Sequence, residues 1–476
     1  MNSQFDSHEA HVIVSPLRKF AYGFSGMGTG MGDYLVATFI MIYYPVILHM
    51  NPATIGLVLI VPRMWDAITC PLMGQISDRT RTRWGRRRPY ILFGAPLLSL
   101  ATFLMFAPPR WLSERGMAWY VLVVGMLYYT AYTVVIVPST ALGVELSVDY
   151  HERTRIQVWR SVLASICGFI TPWTWKLSQL GIFPDERTGV MWIAATYAII
   201  SMLSNWVTFT FCREESGVLE SPTLPLWHAF RVTFRNRAFM MLGMACFLLL
   251  LGLWGGFSLM QYVTIYYVYG GTDHSSSATL TGLTSVTFAL IGLLSSFFWG
   301  WAGIKFDKRK GFILGILSIA CMAPMSWFLF TPTYPYLQLV YQGILGFTCG
   351  ALQIFPGTMM ADVCDVDEYR TGCRREGAYN GIMTFLYTAG FACTFFVTGI
   401  LLRLSGFDEN IDAQAPETLM WMRLFLALVP FAVMLLIALA IWFYPLREKD
   451  VRAIRVVLDQ RREERMATAG AQPESA

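Results

Sequence analysis

Twelve apolar runs, each near or above the roughly 20 residues that an α-helix needs to cross a bilayer, dominate this chain. They cover about 20–48, 53–76, 90–108, 117–141, 157–180, 190–212, 238–269, 279–303, 312–331, 335–361, 378–402 and 419–444. Runs of that length exclude a soluble core. Backbone polar groups in oil must be satisfied within each segment, so the fold class is all-α, with twelve transmembrane helices. Composition agrees: 14% of residues are charged and 55% hydrophobic, against about 25% charged in soluble domains. The first and seventh runs are long enough to tilt or break.

Loop charge sets the orientation. With both termini cytoplasmic, 28 of the 36 Lys and Arg residues fall on inner segments, and about six lie on outer loops or their edges. The positive-inside rule therefore places both ends in the cytoplasm of an inner-membrane protein. The run "RTRTRWGRRR" (79–88) is the largest of these anchors. Net charge of +5 is thus a topology signal, and no nucleic-acid partner is expected. The polar start "MNSQFDSHEAHVIVSPLRKF" lacks a signal-peptide apolar stretch. Nine cysteines include no CxxC pair or Cys/His cluster, so neither a disulfide framework nor a zinc site is expected. No cofactor is implied, and the chain reads as a monomer whose partners are membrane lipids and a small-molecule substrate.

The halves echo each other. "GQISDRTRTRWGRRRPYILFG" after the second run matches "GIKFDKRKGFILG" after the eighth, and "PSTALGVELSVDYHERTR" matches "PGTMMADVCDVDEYRTGCRR". Pro138 pairs with Pro356 and Asp149 with Asp367 at one offset of 218. This divides the chain into a six-helix bundle (1–212), a cytoplasmic linker (213–237), a second bundle (238–444) and a tail (445–476). Parallel repeats of this kind build transporters, with the substrate held near the midplane between the halves.

Charges at membrane depth cost about 2.5–3.5 kcal/mol each on insertion scales, so they face a cavity or a partner. Asp66 follows Arg63 by one turn, on the same helix face. That pair is either a structural ion pair or a cation or proton site. Asp33, after the glycine run "YGFSGMGTGMGDYL", has no near neighbour of opposite charge in the sequence and offers a site for a proton, a cation or sugar hydroxyls. The glycine run lacks the strand a phosphate loop requires and reads as close helix packing. Arg160 is either an electrostatic partner for one of these acids, a fork for substrate hydroxyls, or a snorkelling interfacial side chain. Trp173, Tyr262 and Tyr266 could stack on a sugar ring, and Gln353 and Asn380 complete the candidate substrate-facing set. Asp78, Arg79, Arg83, Asp149, Glu152, Arg153, Asp362, Asp365, Arg370, Arg374 and Glu376 sit on inner loops or helix ends. Their repetition in both halves suggests a cytoplasmic latch between the bundles, the alternative being solvated loop charge.

Several stretches resemble, in order, the glycoside–pentoside–hexuronide:cation symporter family of the major facilitator superfamily, which includes melibiose permease. They are "RMWDAITCPLMGQISDRTRTRWGRRRPYIL", "ALGVELSVDYHERTRIQVWR", "ADVCDVDEYRTGCRREG" and "YPLREKDVRAI". The resemblance implies sugar import by alternating access, coupled to a proton, Na⁺ or Li⁺. It implies a cation site at Asp66, Thr69 and Thr133, and a gating or sugar-site role for Arg160. Departures accompany it. Cys70 stands where the cation motif has a second acid, and Thr388 where melibiose permease has a lysine. Ile136, Thr140 and Gly350 replace galactoside-site residues. Na⁺ prefers several oxygen ligands, so the loss of a carboxylate favours a proton as coupling ion, with uncoupled transport as a further possibility. A lysophospholipid or amphiphile carrier is the rival within transport. A membrane enzyme would need a catalytic cluster at one interface, which the sequence lacks.

Overall fold

In the computed structural model the described residues are 14–147, 149–214, 233–234, 236–305, 307–372, 375–446, 451–458 and 460. They form α1 (Pro16–Ile47), α2 (Pro52–Arg79), α3 (Arg88–Phe106), α4 (Glu114–Glu145), α5 (Tyr150–Ile170) and α6 (Glu186–Phe211). The second half supplies α7 (Arg237–Val268), α8 (His274–Lys305), α9 (Lys308–Met322), α10 (Leu337–Thr371), α11 (Glu376–Leu404) and α12 (Pro416–Trp442). No strand occurs among the described residues. All of these except α5 lie in the eleven stretches long and apolar enough to cross a membrane. The exception carries Glu152, Arg153, Arg155 and Arg160 within its length, and it breaks into a 3₁₀ turn (Thr171–Trp173) before a short helix (Thr174–Ser178). Pro172 in that turn cannot donate a helical hydrogen bond, which explains the break.

The two longest apolar runs do contain irregularities. π-turns occupy Leu35–Phe39 and Tyr43–Ile47 in α1 and Val263–Val268 in α7. One begins two residues after Asp33. Such wide turns free backbone groups from the regular ladder and recur at functional sites.

By contacts the chain forms two units. One holds Met1–Pro222, Gln261–Val286 and Phe395–Leu419, and the other Thr223–Met260, Thr287–Thr394 and Met420–Ala476. In the first unit α1 packs on α5 and α6, α3 on α4 and α6, and α2 on α4. Glycines make the α1 contacts possible, as small residues do where lipid offers no hydrophobic drive between helices. A Cβ on Gly28 would lie 3.0 Å from Ser201 Cα, and one on Gly23 2.9 Å from the Trp159 carbonyl oxygen. Val14, Tyr22, Ile91, Leu142, Ile156 and Cys212 form the core that ties one end of this bundle.

At the opposite end, the first unit also binds pieces from the second half of the sequence. Gly56 of α2 lies against the Phe395 backbone of α11, and Gly399 of α11 against the Pro52–Ala53 backbone of α2. Asn51 Nδ2 donates to both Glu409 carboxylate oxygens (3.2 and 3.4 Å), Lys176 Nζ donates to Ser275 Oγ (2.6 Å), and Tyr262 Oη donates to the Met41 carbonyl (2.6 Å). In the second unit α9 packs on α10, and Trp299 Nε1 donates to the Phe347 carbonyl (2.8 Å), joining α8 to α10.

Candidate functional site

α2 places Arg63, Asp66, Thr69 and Cys70 within two turns, with Pro62 and Pro71 interrupting its ladder nearby. Asp66 is 4% exposed. Thr133 of α4 donates from Oγ1 to Asp66 Oδ1 at 2.6 Å, and Cys70 Sγ donates to the same oxygen at 3.5 Å. Thr69 Oγ1 lies 3.4 Å from Thr133 Oγ1, and Cys70 Sγ 3.9 Å from it. The three residues expected to form an ion site, Asp66, Thr69 and Thr133, therefore meet in one cluster with Cys70 as a fourth member, Asp66 and Thr133 buried and Thr69 and Cys70 half-buried. Thr133 Oγ1 is also 2.9 Å from the Tyr129 carbonyl, so its single proton has two acceptors to choose between.

Arg63 extends this cluster. Its guanidinium lies over the Tyr129 ring, 4.7 Å from the centroid, and Nη2 is 3.9 Å from Asp33 Oδ1. Its charge acts on both Asp33 and Asp66. The sequence view of Asp33 as lacking a nearby opposite charge is thus corrected: the partner comes from α2, thirty positions on and invisible to local spacing. Asp33 Oδ1 and Tyr128 Oη are buried without a hydrogen-bond partner among the described residues.

Arg160 Nη1 donates to Tyr22 Oη at 2.8 Å, and its guanidinium stands 5.4 Å from that ring. The half-buried Trp173 packs its indole against Gly282 of α8. Tyr262 is buried, its hydroxyl held by Met41, with its ring stacked on Tyr266. Tyr266 meets Phe407 edge-on at 4.9 Å. These two tyrosines belong to the packed end of the first unit. Asn380 is exposed on α11, and Gln353 lies on α10 with its side chain outside the described residues.

Part of the charged set from the inner loops is paired within units. In the first, Asp78 Oδ1 receives Arg87 Nη2 at 2.9 Å, and Glu145 receives Arg86 and Arg87 at 2.8 and 3.1 Å. Glu152 is clamped by Lys19 and Arg155, both at 2.6 Å. Asp149 Oδ1 accepts the Glu152 amide at 3.4 Å and Arg153 Nε donates to the Ser147 carbonyl at 2.7 Å, organising the start of α5. Arg79 closes the last turn of α2, and Arg83 covers Trp84 at 4.7 Å. In the second unit Asp362 receives Lys308 and Arg455, each at 2.8 Å, and Asp365 receives Arg455 at 2.7 Å. Arg370 is exposed, while Arg374 and the Glu376 side chain lie outside the described residues. Lys19, Glu145, Lys308 and Arg455 are not legible as site residues because each meets a partner remote in the chain.

The family model for MFS/sugar transport proteins matches residues 21–448. The glucuronide carrier protein homolog of Escherichia coli is 26% identical over 93% of this chain and 95% of its own length. The isoprimeverose transporter of Lactiplantibacillus pentosus is 25% identical over 90% and 88%. Among solved structures, the nucleoside transporter NupG (D323A mutant) superposes with a TM-score of 0.64 at 14% identity, covering 90% of this chain and 99% of that one. A D-xylose–proton symporter gives 0.63 at 12%, covering 90% and 97%. These structures share the fold. Buried charges on spanning helices, the internal repeat and the match across most of its length together place the chain in the MFS/sugar transport protein family, whose members are membrane transporters and not enzymes.

Proposed function

We propose that the chain imports a sugar (a glycoside, oligosaccharide or uronide) by proton symport with alternating access, in the inner membrane, as a monomer with both termini cytoplasmic. Relatives named as a glucuronide carrier homolog, an isoprimeverose transporter and a putative sulfoquinovose importer support the substrate class. They lend no support to the amphiphile-carrier alternative.

The coupling assignment rests on the Thr133 hydroxyl, which stands between the Asp66 carboxylate and the Tyr129 carbonyl. With Asp66 ionised, Thr133 donates to it. With Asp66 protonated, the carboxylic acid donates to Thr133 and the hydroxyl turns its proton to Tyr129. Both protonation states are hydrogen-bonded, so loading and unloading a proton leaves no buried polar group unsatisfied, a defect that costs about 1–3 kcal/mol. A sodium ion would find one carboxylate, two hydroxyls and a thiol, a poor ligand set for a hard cation. Asp33, held by Arg63 beside buried tyrosines, supplies an acceptor for sugar hydroxyls.

Proteoliposome uptake of labelled glucuronides and oligosaccharides, with imposed pH or Na⁺ gradients, tests this. A pH gradient alone drives accumulation, and Asp66→Asn abolishes accumulation while leaving substrate exchange. Accumulation that persists unchanged in Asp66→Asn overturns the assignment.

A further inference from the structure

Where α3 begins and α6 ends, the first unit has an open pocket of about 670 Å³ lined by Arg83, Trp84, Arg88, Phe209 and Arg213. Three guanidinium groups converge there. Its one acid, Glu214, is already engaged: its two oxygens accept the backbone amides of Arg86 (2.8 Å) and Arg87 (2.7 Å). Gly85, at φ +105°, lets the loop curl against that carboxylate. Arg83 and Arg213 are exposed and pair with no carboxylate among the described residues. Arg88 is fixed by two hydrogen bonds to the Phe209 carbonyl (3.1 and 2.5 Å) and lies 4.6 Å from that ring. The pocket is thus a cationic cup with an aromatic floor.

An apolar track leaves it. The Trp84 ring touches Phe93 (6.1 Å between centroids), and Phe93, Leu97 and Leu100 are exposed along one face of α3 at helical spacing. Ile199, Leu203 and Trp206 are exposed at the same spacing on α6, which packs on α3. Trp206 Nε1 donates to the Leu92 carbonyl at 3.2 Å and fastens the seam. A soluble anion would use the cup and ignore the track. A lipid uses both.

We infer that this cup and seam bind one anionic phospholipid, its phosphate diester among Arg83, Arg88 and Arg213 and its acyl chains along the α3–α6 seam. The headgroup would anchor the start of α3 to the leaflet at that end of the helices.

The test is native mass spectrometry of the intact, delipidated protein with dioleoylphosphatidylglycerol, with dioleoylphosphatidylcholine and inorganic phosphate as separate arms. The Arg83→Gln/Arg213→Gln variant should retain phosphatidylglycerol about thirty-fold less well than the wild type, each cation near the surface being worth roughly a factor of five. Phosphatidylcholine retention should not change. Arg115→Gln, at the other end of the fold, should leave phosphatidylglycerol binding intact, and Leu97→Asn should weaken it without touching a charge. Equal retention by the double variant and the wild type overturns the proposal. So does displacement of the lipid by inorganic phosphate, or an equal loss in Arg115→Gln.

Discussion

Thr133 Oγ1 donates to Asp66 Oδ1 at 2.6 Å, tying α4 to α2 through a hydroxyl and a carboxylate that are both buried. A hydrogen bond to a charged group contributes about 1.5–3 kcal/mol, so its loss changes proton binding by roughly ten- to a hundred-fold. Thr133→Val keeps the shape and removes the donor. Proton-driven accumulation in proteoliposomes should fall at least about tenfold on that scale, with exchange preserved, whereas Thr133→Ser should retain most of it.

The Lys19–Glu152 pair, 2.6 Å apart and almost wholly buried, holds α1 to the start of α5. Removing Glu152 strands the buried Lys19, at about 3–5 kcal/mol, whereas removing Lys19 leaves Glu152 its Arg155 partner and should cost less. Glu152→Gln and Lys19→Met should each lower the unfolding midpoint in detergent. The double variant should be more stable than the sum of the two predicts, because neither charge is then left alone.

At the other end, a Cβ on Gly56 would fall 2.3 Å from the Phe395 carbonyl oxygen, and one on Gly399 2.8 Å from Ala53 Cα. Rigid backbone cannot yield as a flexible side chain can. Gly56→Leu should prevent this contact, leaving substrate binding measurable by calorimetry but reducing transport turnover by an order of magnitude or more, since overpacking costs about 1–3 kcal/mol in the state that needs the contact.

Asp185 caps α6 by accepting the Thr188 amide at 2.8 Å, and it pairs with Arg110 at 2.8 Å. The Thr188 hydrogen bonds first, and the Arg110 charge after them, hold its carboxyl below the usual carboxylate range. A depressed carboxylate stabilises the fold fully above its unfolded value, and that contribution is lost as pH falls through the folded one. The unfolding midpoint of the wild type should therefore fall at pH below about 4. Asp185→Ala should lose about 1 kcal/mol of capping at neutral pH and show a weaker acid dependence.

The run of spanning helices and the buried Arg63–Asp66 stretch of α2 are legible in the sequence for a physical reason, whereas Thr69 and Thr133 come only through the family resemblance. A charge in an apolar run has to be used, and residues three or four apart share a helix face. Partners on other helices are not legible. Arg63 reaches Asp33, Arg160 reaches Tyr22, and Asp362 meets Arg455 only because of packing. Aromatic identity also says little about direction: Tyr262 has the composition of a sugar-stacking residue, yet its hydroxyl is spent on the Met41 carbonyl. The glycine run reads correctly as packing, because backbone proximity in a membrane bundle demands small residues whatever the ligand.

On the proposed function, Cys70 should decide which ion the cluster serves. Its Sγ is 3.5 Å from Asp66 Oδ1 and 3.9 Å from Thr133 Oγ1, so a carboxylate at this position would face the same point as Asp66. Two carboxylates one helical turn apart repel each other unless a cation sits between them, and with the Thr69 and Thr133 hydroxyls they would offer the oxygen-rich set that a hard cation prefers. Cys70→Asp should therefore make sugar accumulation respond to an imposed Na⁺ gradient, to which the wild type should be indifferent. Adding Asp66→Asn to that variant should remove the response, since one carboxylate again remains. If Na⁺ fails to stimulate Cys70→Asp in protein that still exchanges substrate, then α2 and α4 do not enclose the point where the coupling ion binds.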